Sequence, residues 1–162
     1  MKRHIPPSLL LFLLAIVVGQ AQPLTGTLSG RVYAIAKGGD TKPARMADVF
    51  VASGDDQITL QQNIDRALAK RLEDIKNSSD AQEACLLASV SIHEAVKNGS
   101  NIQTVVTDED GSFDLPKLKA GSYTVVVIGA ANGSQSVWYL TTTVTAGKRQ
   151  KVKLSEPVLA CQ

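Results

Sequence analysis

Apolar and polar residues alternate near both ends of the chain, while in the middle the apolar ones recur every three or four positions. From Thr25 to Ile35 (TGTLSGRVYAI) the alternation runs through Leu28, Val32 and Ala34. It returns after the turn-rich KGGDTKPAR in ADVFVAS, where Val49 and Val51 share one face. Both stretches read as strands bounded by glycine and proline. From Thr59 the period lengthens: Leu60, Ile64, Ala67, Leu68, Leu72 and Ile75 make a helical stripe, with Arg66, Lys70, Glu73 and Asp74 off it. Thr59 with Gln62 has the form of a capping box. KNSSD interrupts the pattern, and Ser79 with Gln82 opens a second helix carrying Cys85, Ala88, Ile92, Ala95 and Val96, which Asn98-Gly99 stops. Two helices with so short a link predict an αα-hairpin.

Strand patterning resumes at Ile102 in five runs, NIQTVVT, GSFDL, SYTVVVIGA, SVWYLTTTV and QKVKL, separated by DEDG, PKLKAG, NGSQ and AGKR. With the two early strands this predicts a mainly β fold, a seven-stranded sandwich. The hairpin, about residues 57–99, would be inserted between the second and third strands. It either packs its apolar stripe on an open sheet face or offers an apolar surface to another protein. Leu86 and Val90, off the main stripe of the second helix, form a modest second strip.

The N-terminus falls outside this pattern. MKRH is followed by the apolar run LLLFLLAIVV (Leu9 to Val18), and Gly19-Gln20-Ala21 offers small residues for cleavage after Ala21. That is the layout of a secretory signal peptide over residues 1–21, with the domain over 22–162. The apolar run is shorter than the roughly 20 residues of a membrane span, so none is expected after cleavage. Cleavage would also remove Lys2 and Arg3, two of the 17 basic residues, leaving 15 against 15 acidic. A balanced chain lacks the footprint of a nucleic-acid binder. Lys148, Arg149, Lys151 and Lys153 do cluster, and alternating lysines late in a strand read as a solvated face that protects an edge. In a periplasmic or extracellular setting the two cysteines, Cys85 and Cys161, are expected to form one disulfide.

Candidate chemistry is sparse. Asp108-Glu109-Asp110-Gly111 invites a cation-site reading, but with Gly111 at position 6 of an EF-hand loop, position 1 is Val106 and position 12 is Lys117. Neither supplies the required carboxylate, so the segment is expected to be a hairpin turn between two alternating strands, in which Gly111 takes positive φ and Asp108 bonds backbone amides. His93 is the one histidine after residue 21. That removes multi-histidine zinc sites and weakens any triad. A Cys85–His93 dyad on one helix would be separated by about 12 Å of rise, far beyond hydrogen-bond reach. No phosphate-cradling loop appears, since GGD and NGS lack a following helix with the right lysine or threonine. The reading is therefore non-enzymatic, with no cofactor and no metal. Binding is more open. Trp138 and Tyr139 are adjacent on a strand and point to opposite faces, so an exposed ring beside Tyr33 could form a platform for a sugar. Asn77, Asn98 and Asn132 head glycosylation sequons that also suit turns.

One set of residues resembles a known family. Gly30-Arg31-Val32, Pro43 with Ala47-Asp48-Val49, Thr107-Asp108 with Gly111 and Phe113, and Ala120-Gly121-Ser122-Tyr123-Thr124-Val125 resemble the carboxypeptidase regulatory-like domain over roughly 25–56 and 100–155. The resemblance implies a transthyretin-like, seven-stranded sandwich grouped with carbohydrate-binding-like folds, without shared catalytic residues. It implies structural roles for Gly111 in the turn, Phe113 in the core and Gly121 in the bend before Tyr123. The helical segment from Gln57 to Gly99 departs from the family, which has a short loop there. The expectation is an exported accessory or protein-interaction module, with a carbohydrate-binding module using Trp138 or Tyr139 as the alternative.

Overall fold

A computed structural model describes residues 24–36, 38–77, 80–97 and 101–161; the expected signal peptide and the Asn98-Gly99 stop lie outside them. Along the chain run β1 (Thr25–Ile35), β2 (Thr41–Pro43), β3 (Asp48–Ser53), α1 (Asp55–Asn77), α2 (Ala81–Lys97), β4 (Ile102–Val106), β5 (Ser112–Lys119), β6 (Gly121–Ala131), β7 (Ser134–Val144), β8 (Arg149–Leu154) and β9 (Leu159–Cys161). The described residues thus hold nine strands rather than seven, and the helices follow the third strand rather than the second. The additions, β2 and β9, are three residues each, too short to show a period. Each exists because a longer strand offers it an edge: Pro43 to Thr41 pair with Tyr33 to Ile35, and Leu159 to Cys161 pair with Val137 to Gln135.

The strands form two sheets. In the first, β1 is central: β5 and then β2 share one edge, and β8 lies parallel along the other. The shared edge is visible at Val32, whose N–H donates to the Gly111 carbonyl while its own carbonyl accepts from the Ala44 N–H. The second sheet is antiparallel throughout, in the order β4-β3-β6-β7-β9. One face of it, with Val49, Val51, Val125, Val127 and Trp138, packs against Leu28, Val32, Phe113, Leu118 and Leu154 of the first sheet. Its other face, with Phe50, Ala52, Val126, Ile128 and Val137, packs against Leu60 and Ile64 of α1 and Cys85, Ala88, Ile92 and Val96 of α2.

The molecule is therefore three layers: sheet, sheet and helical hairpin. This explains why β6 lacks alternation. Tyr123 through Ile128 are all buried, since the strand is covered on both faces. Docking of the hairpin answers the question its amphipathic stripe raised. The stripe's continuation at Leu72 and Ile75 lies outside the described side chains.

The helix starts differ from the sequence reading. Thr59 and Gln62 lie inside α1, which begins at Asp55 just after Gly54 leaves β3 with φ +62°. The start is set by the sheet exit and not by a capping box. In α2 the cap is Asp80, one residue beyond Ser79: its Oδ1 accepts from the N–H groups of Gln82 and Glu83 at 3.1 Å each.

Candidate functional site

The acidic segment is a turn, but not a hairpin turn. β4 belongs to the second sheet and β5 to the first, so residues 107–111 carry the chain across the sandwich. Asp108 Oδ1 accepts from the N–H groups of Asp110 (2.9 Å) and Ser112 (2.8 Å), and Gly111 donates its N–H to the Asp108 carbonyl at 3.0 Å. The Asp108 carboxylate is engaged with backbone amides of its own turn. Gly111 takes φ +74°, and a Cβ there would stand 2.3 Å from the Val32 carbonyl oxygen, so the corner needs glycine twice over. Thr107, not singled out in the sequence beyond its place in the motif, is a buried staple. Its hydroxyl donates to the Ala44 carbonyl (2.6 Å) and accepts from the Ala47 N–H (2.9 Å), closing the loop between β2 and β3.

The second motif makes the opposite corner. At Ala120-Gly121 the chain returns from β5 to β6, and the Tyr123 hydroxyl donates to the Lys119 carbonyl at 2.8 Å. Burial pushes the Tyr123 phenol above its ordinary range, because the anion would lose its hydration. Phe113 lies between the corners in the sandwich core, directly across from Gly30; a Cβ on Gly30 would come 2.5 Å from the Phe113 ring. Among the described residues no group of three or more His, Cys, Asp or Glu side chains is placed to hold a metal ion.

The three aromatic residues named as a sugar platform do not come together. Trp138 is fully buried between the sheets, and its indole N–H has no hydrogen-bond partner. Tyr139 points the other way and is partly buried against the helix-facing core. Tyr33 lies on the first sheet outside both core clusters, yet it too is buried, at 8% exposure, with the Lys153 ammonium over its ring. The alternation that separates Trp138 from Tyr139 holds, but the hairpin covers the face on which Tyr139 would have been free. Trp138, enclosed between sheets, offers no ring face to a ligand.

Cys85 and Cys161 are joined in a disulfide, with Cα atoms 5.4 Å apart, which ties α2 to the edge strand β9. Cys85 therefore has no thiol to pair with His93. His93 lies against Phe50 (ring centroids 5.6 Å apart), with Nε2 3.8 Å from Asp48 Oδ2 beside a cavity of about 290 Å³.

Among the described residues, the helical hairpin and the first sheet each present an open surface. Leu86, Leu87 and Val90 of α2 are exposed at 43%, 61% and 52%, beside a groove of about 370 Å³ between the helices. On the outer face of the first sheet a cavity of about 420 Å³ is lined by Arg31, Tyr33, Thr41, Pro43 and Lys153. Alternation along QKVKL was the signal that its lysines share a face, but nothing in the sequence told which strand they lie beside.

Residues 80–155 match the model of the carboxypeptidase regulatory-like domain, a span that runs from the cap of α2 to just beyond β8 and includes both corner motifs. Over that span the chain is similar to the carboxypeptidase regulatory-like domain. Its first three strands, with Gly30-Arg31-Val32 and Ala47-Asp48-Val49, precede the matched span. Among solved structures, a Pseudomonas aeruginosa protein proposed to bind carbohydrate is similar at 17% identity and a TM-score of 0.51, with 83% of this chain and 91% of that one covered. A Bacteroides uniformis protein proposed to bind carbohydrate has 10% identity and a TM-score of 0.40, covering 83% of this chain and 42% of that one. The pilus backbone of Streptococcus pneumoniae has 17% identity and a TM-score of 0.34, with 80% of this chain and 41% of that one covered. No curated protein matches the chain in sequence. The likeness to the Pseudomonas protein speaks for the fold alone; in this chain the sandwich carries the helical hairpin as a third layer.

Proposed function

We propose that the carboxypeptidase regulatory-like domain of this chain is a non-catalytic interaction module acting in the periplasm or outside the cell, and that it meets a partner protein through the outer face of its helical hairpin. The unit is residues 22–162, delivered by a signal peptide over 1–21. A disulfide that clasps the insertion supports an oxidising compartment. No helix among the described residues is long and apolar enough to cross a membrane.

The observation that carries the reading is that Leu86, Leu87 and Val90 stay exposed after the inner face of the same helix is fully docked. Adjacent exposed large apolar side chains on a rigid helix mark contact surfaces. Deleting the hairpin is a poor test, because it would strip the cover from Phe50, Val126, Ile128 and Val137. A better one is the double variant Leu87→Glu/Val90→Glu, compared with the unmodified chain in affinity capture from its own extracellular or periplasmic fraction. Exposed positions tolerate such changes within about 0.5 kcal/mol, so the fold should persist while the captured protein is lost. A partner held equally by both forms removes the hairpin from the reading.

A second reading, a carbohydrate-binding module, is favoured by the outer-face cavity at Tyr33 and by the shared fold of the Pseudomonas protein. It requires a site other than Trp138 and Tyr139, which face the two cores.

A further inference from the structure

On the outer face of the first sheet, the parallel register sets Thr27 opposite Arg149, Ser29 opposite Lys151 and Arg31 opposite Lys153. Leu28, Val32, Val152 and Leu154 take the core face, so Arg31, Arg149, Lys151 and Lys153 all point outward, and all four are exposed. The two ends of this row are treated differently. Arg149 is neutralised within the sheet: its Nη1 lies 2.6 Å from Oδ1 of Asp114, reached across β1. Arg31 and Lys153, at the other end, have no carboxylate within ion-pair distance among the described residues.

What holds these two cations is uncharged. Arg31 Nε donates to the backbone carbonyl of Asp110 at 3.0 Å, and the Lys153 ammonium stands 5.2 Å from the centroid of the Tyr33 ring. Both are fixed in place with their charge uncompensated, and they are direct cross-strand neighbours. Like charges directly opposite one another in a sheet destabilise it. Edge protection accounts for lysines on β8, which is an edge strand, but not for Arg31, because β1 is the inner strand. A local arrangement that works against the fold without compensation within it is where a ligand is to be sought.

We propose that Arg31 and Lys153 form the two arms of a binding site for an acidic saccharide. The anionic group of one sugar unit sits between the guanidinium and the ammonium, and the sugar ring lies against Pro43 in the cavity of about 420 Å³, which the buried Tyr33 also lines. That volume is in the range of small-ligand sites, about 300–1,000 Å³. The terminal guanidinium nitrogens suit a two-oxygen acceptor, and the half-buried ring of Pro43 gives a pyranose an apolar surface to rest on. Thr41 at the rim adds a hydroxyl for hydrogen bonding. This rests on the carbohydrate-binding reading and supplies its site and ligand charge.

The test is calorimetric titration of the protein with tetragalacturonate, with a sulfated dextran oligomer of equal length, with maltotetraose, and with a single-stranded oligodeoxynucleotide. The acidic sugars should bind and maltotetraose should not; whichever acidic sugar binds more tightly assigns the group to a carboxylate or a sulfate. Arg31→Gln and Lys153→Gln should each weaken binding at least tenfold, and Lys153→Arg should retain most of it. In the unmodified chain, amide resonances of residues 30–32 and 152–154 should shift on titration, a readout that depends on no variant. The proposal is overturned if neither acidic sugar binds, if the glutamine variants bind unchanged, or if the oligonucleotide binds more tightly than both sugars. Binding of maltotetraose with indifference to both glutamine substitutions would remove this site and leave the carbohydrate reading standing. Failure of every saccharide would remove both.

Discussion

The molecule has two hydrophobic cores separated by one sheet, and they are built on different terms. The core between the sheets draws on β1, β3, β5, β6, β7 and β8, with Trp138 at full burial and glycines at the positions where strands pass closest. Its two corners are fixed by local chemistry, Thr107 to Gly111 at one and Lys119 to Tyr123 at the other. In the core under the hairpin, among the described side chains, α1 contributes Leu60 and Ile64 at full burial, and α2 contributes Cys85, Ile92 and Val96 with Ala88. A covalent clasp, Cys85–Cys161, crosses this second core. The first core is specified by apolar contacts and local corner chemistry, whereas the second has a cross-link in addition to its apolar contacts.

That contrast can be broken from either side. The largest effect should come from Trp138→Ala, which empties the centre of the sandwich and should cost about 3–5 kcal/mol. Chemical denaturation should show the whole molecule unfolding earlier in one step. Should the helices alone loosen, the two cores would not share cooperativity as described. Cys85→Ser/Cys161→Ser opens a loop spanning a sequence separation of 76 residues and should cost about 2–4 kcal/mol. Its signature should be regional: hydrogen exchange should accelerate in α2 and β9 before it does in β1 and β5. Uniform acceleration would mean that the clasp serves both cores.

The smallest effect concerns the second corner. The Tyr123 phenol is raised by burial, so its contribution is fully present below the ordinary tyrosine value near pH 10 and is lost as pH rises through the higher folded value. Stability should therefore fall above about pH 10. Tyr123→Phe should remove that slope and cost about 1 kcal/mol from the lost hydrogen bond to the Lys119 carbonyl. An unchanged slope in the variant would assign the alkaline loss to another group.

The same contrast governs what the sequence could reveal. Strands with alternation, such as β5 and β8, were legible because period-2 burial writes itself into side-chain type. The turn at Asp108 to Gly111 was legible because glycine and aspartate act locally. Its role as a crossing between sheets was not, since that depends on which strands pair. β2 and β9 were invisible for the same reason, being three residues long and defined by a distant partner. Trp138 and Tyr139 were correctly set on opposite faces, but which of those faces would be covered was a matter of where the hairpin lay. The opposed cations Arg31 and Lys153 were legible only as a general basic cluster, because parallel pairing of β8 with β1 brings together residues 122 positions apart in number.

The double-sided burial of β6 also works as a record. In a chain of this architecture whose second sheet faces water, the positions of Phe50, Val126, Ile128 and Val137 would carry polar side chains. Here they are apolar because a helical hairpin rests on them. Neither part is separable by a single step. Losing the helices would leave a greasy sheet surface open to self-association, and making that surface polar would leave the helices nothing to rest on. Insertion and underlying face are thus one heritable unit, and those four side chains can be used to ask of any similar sequence whether its sandwich is bare or roofed.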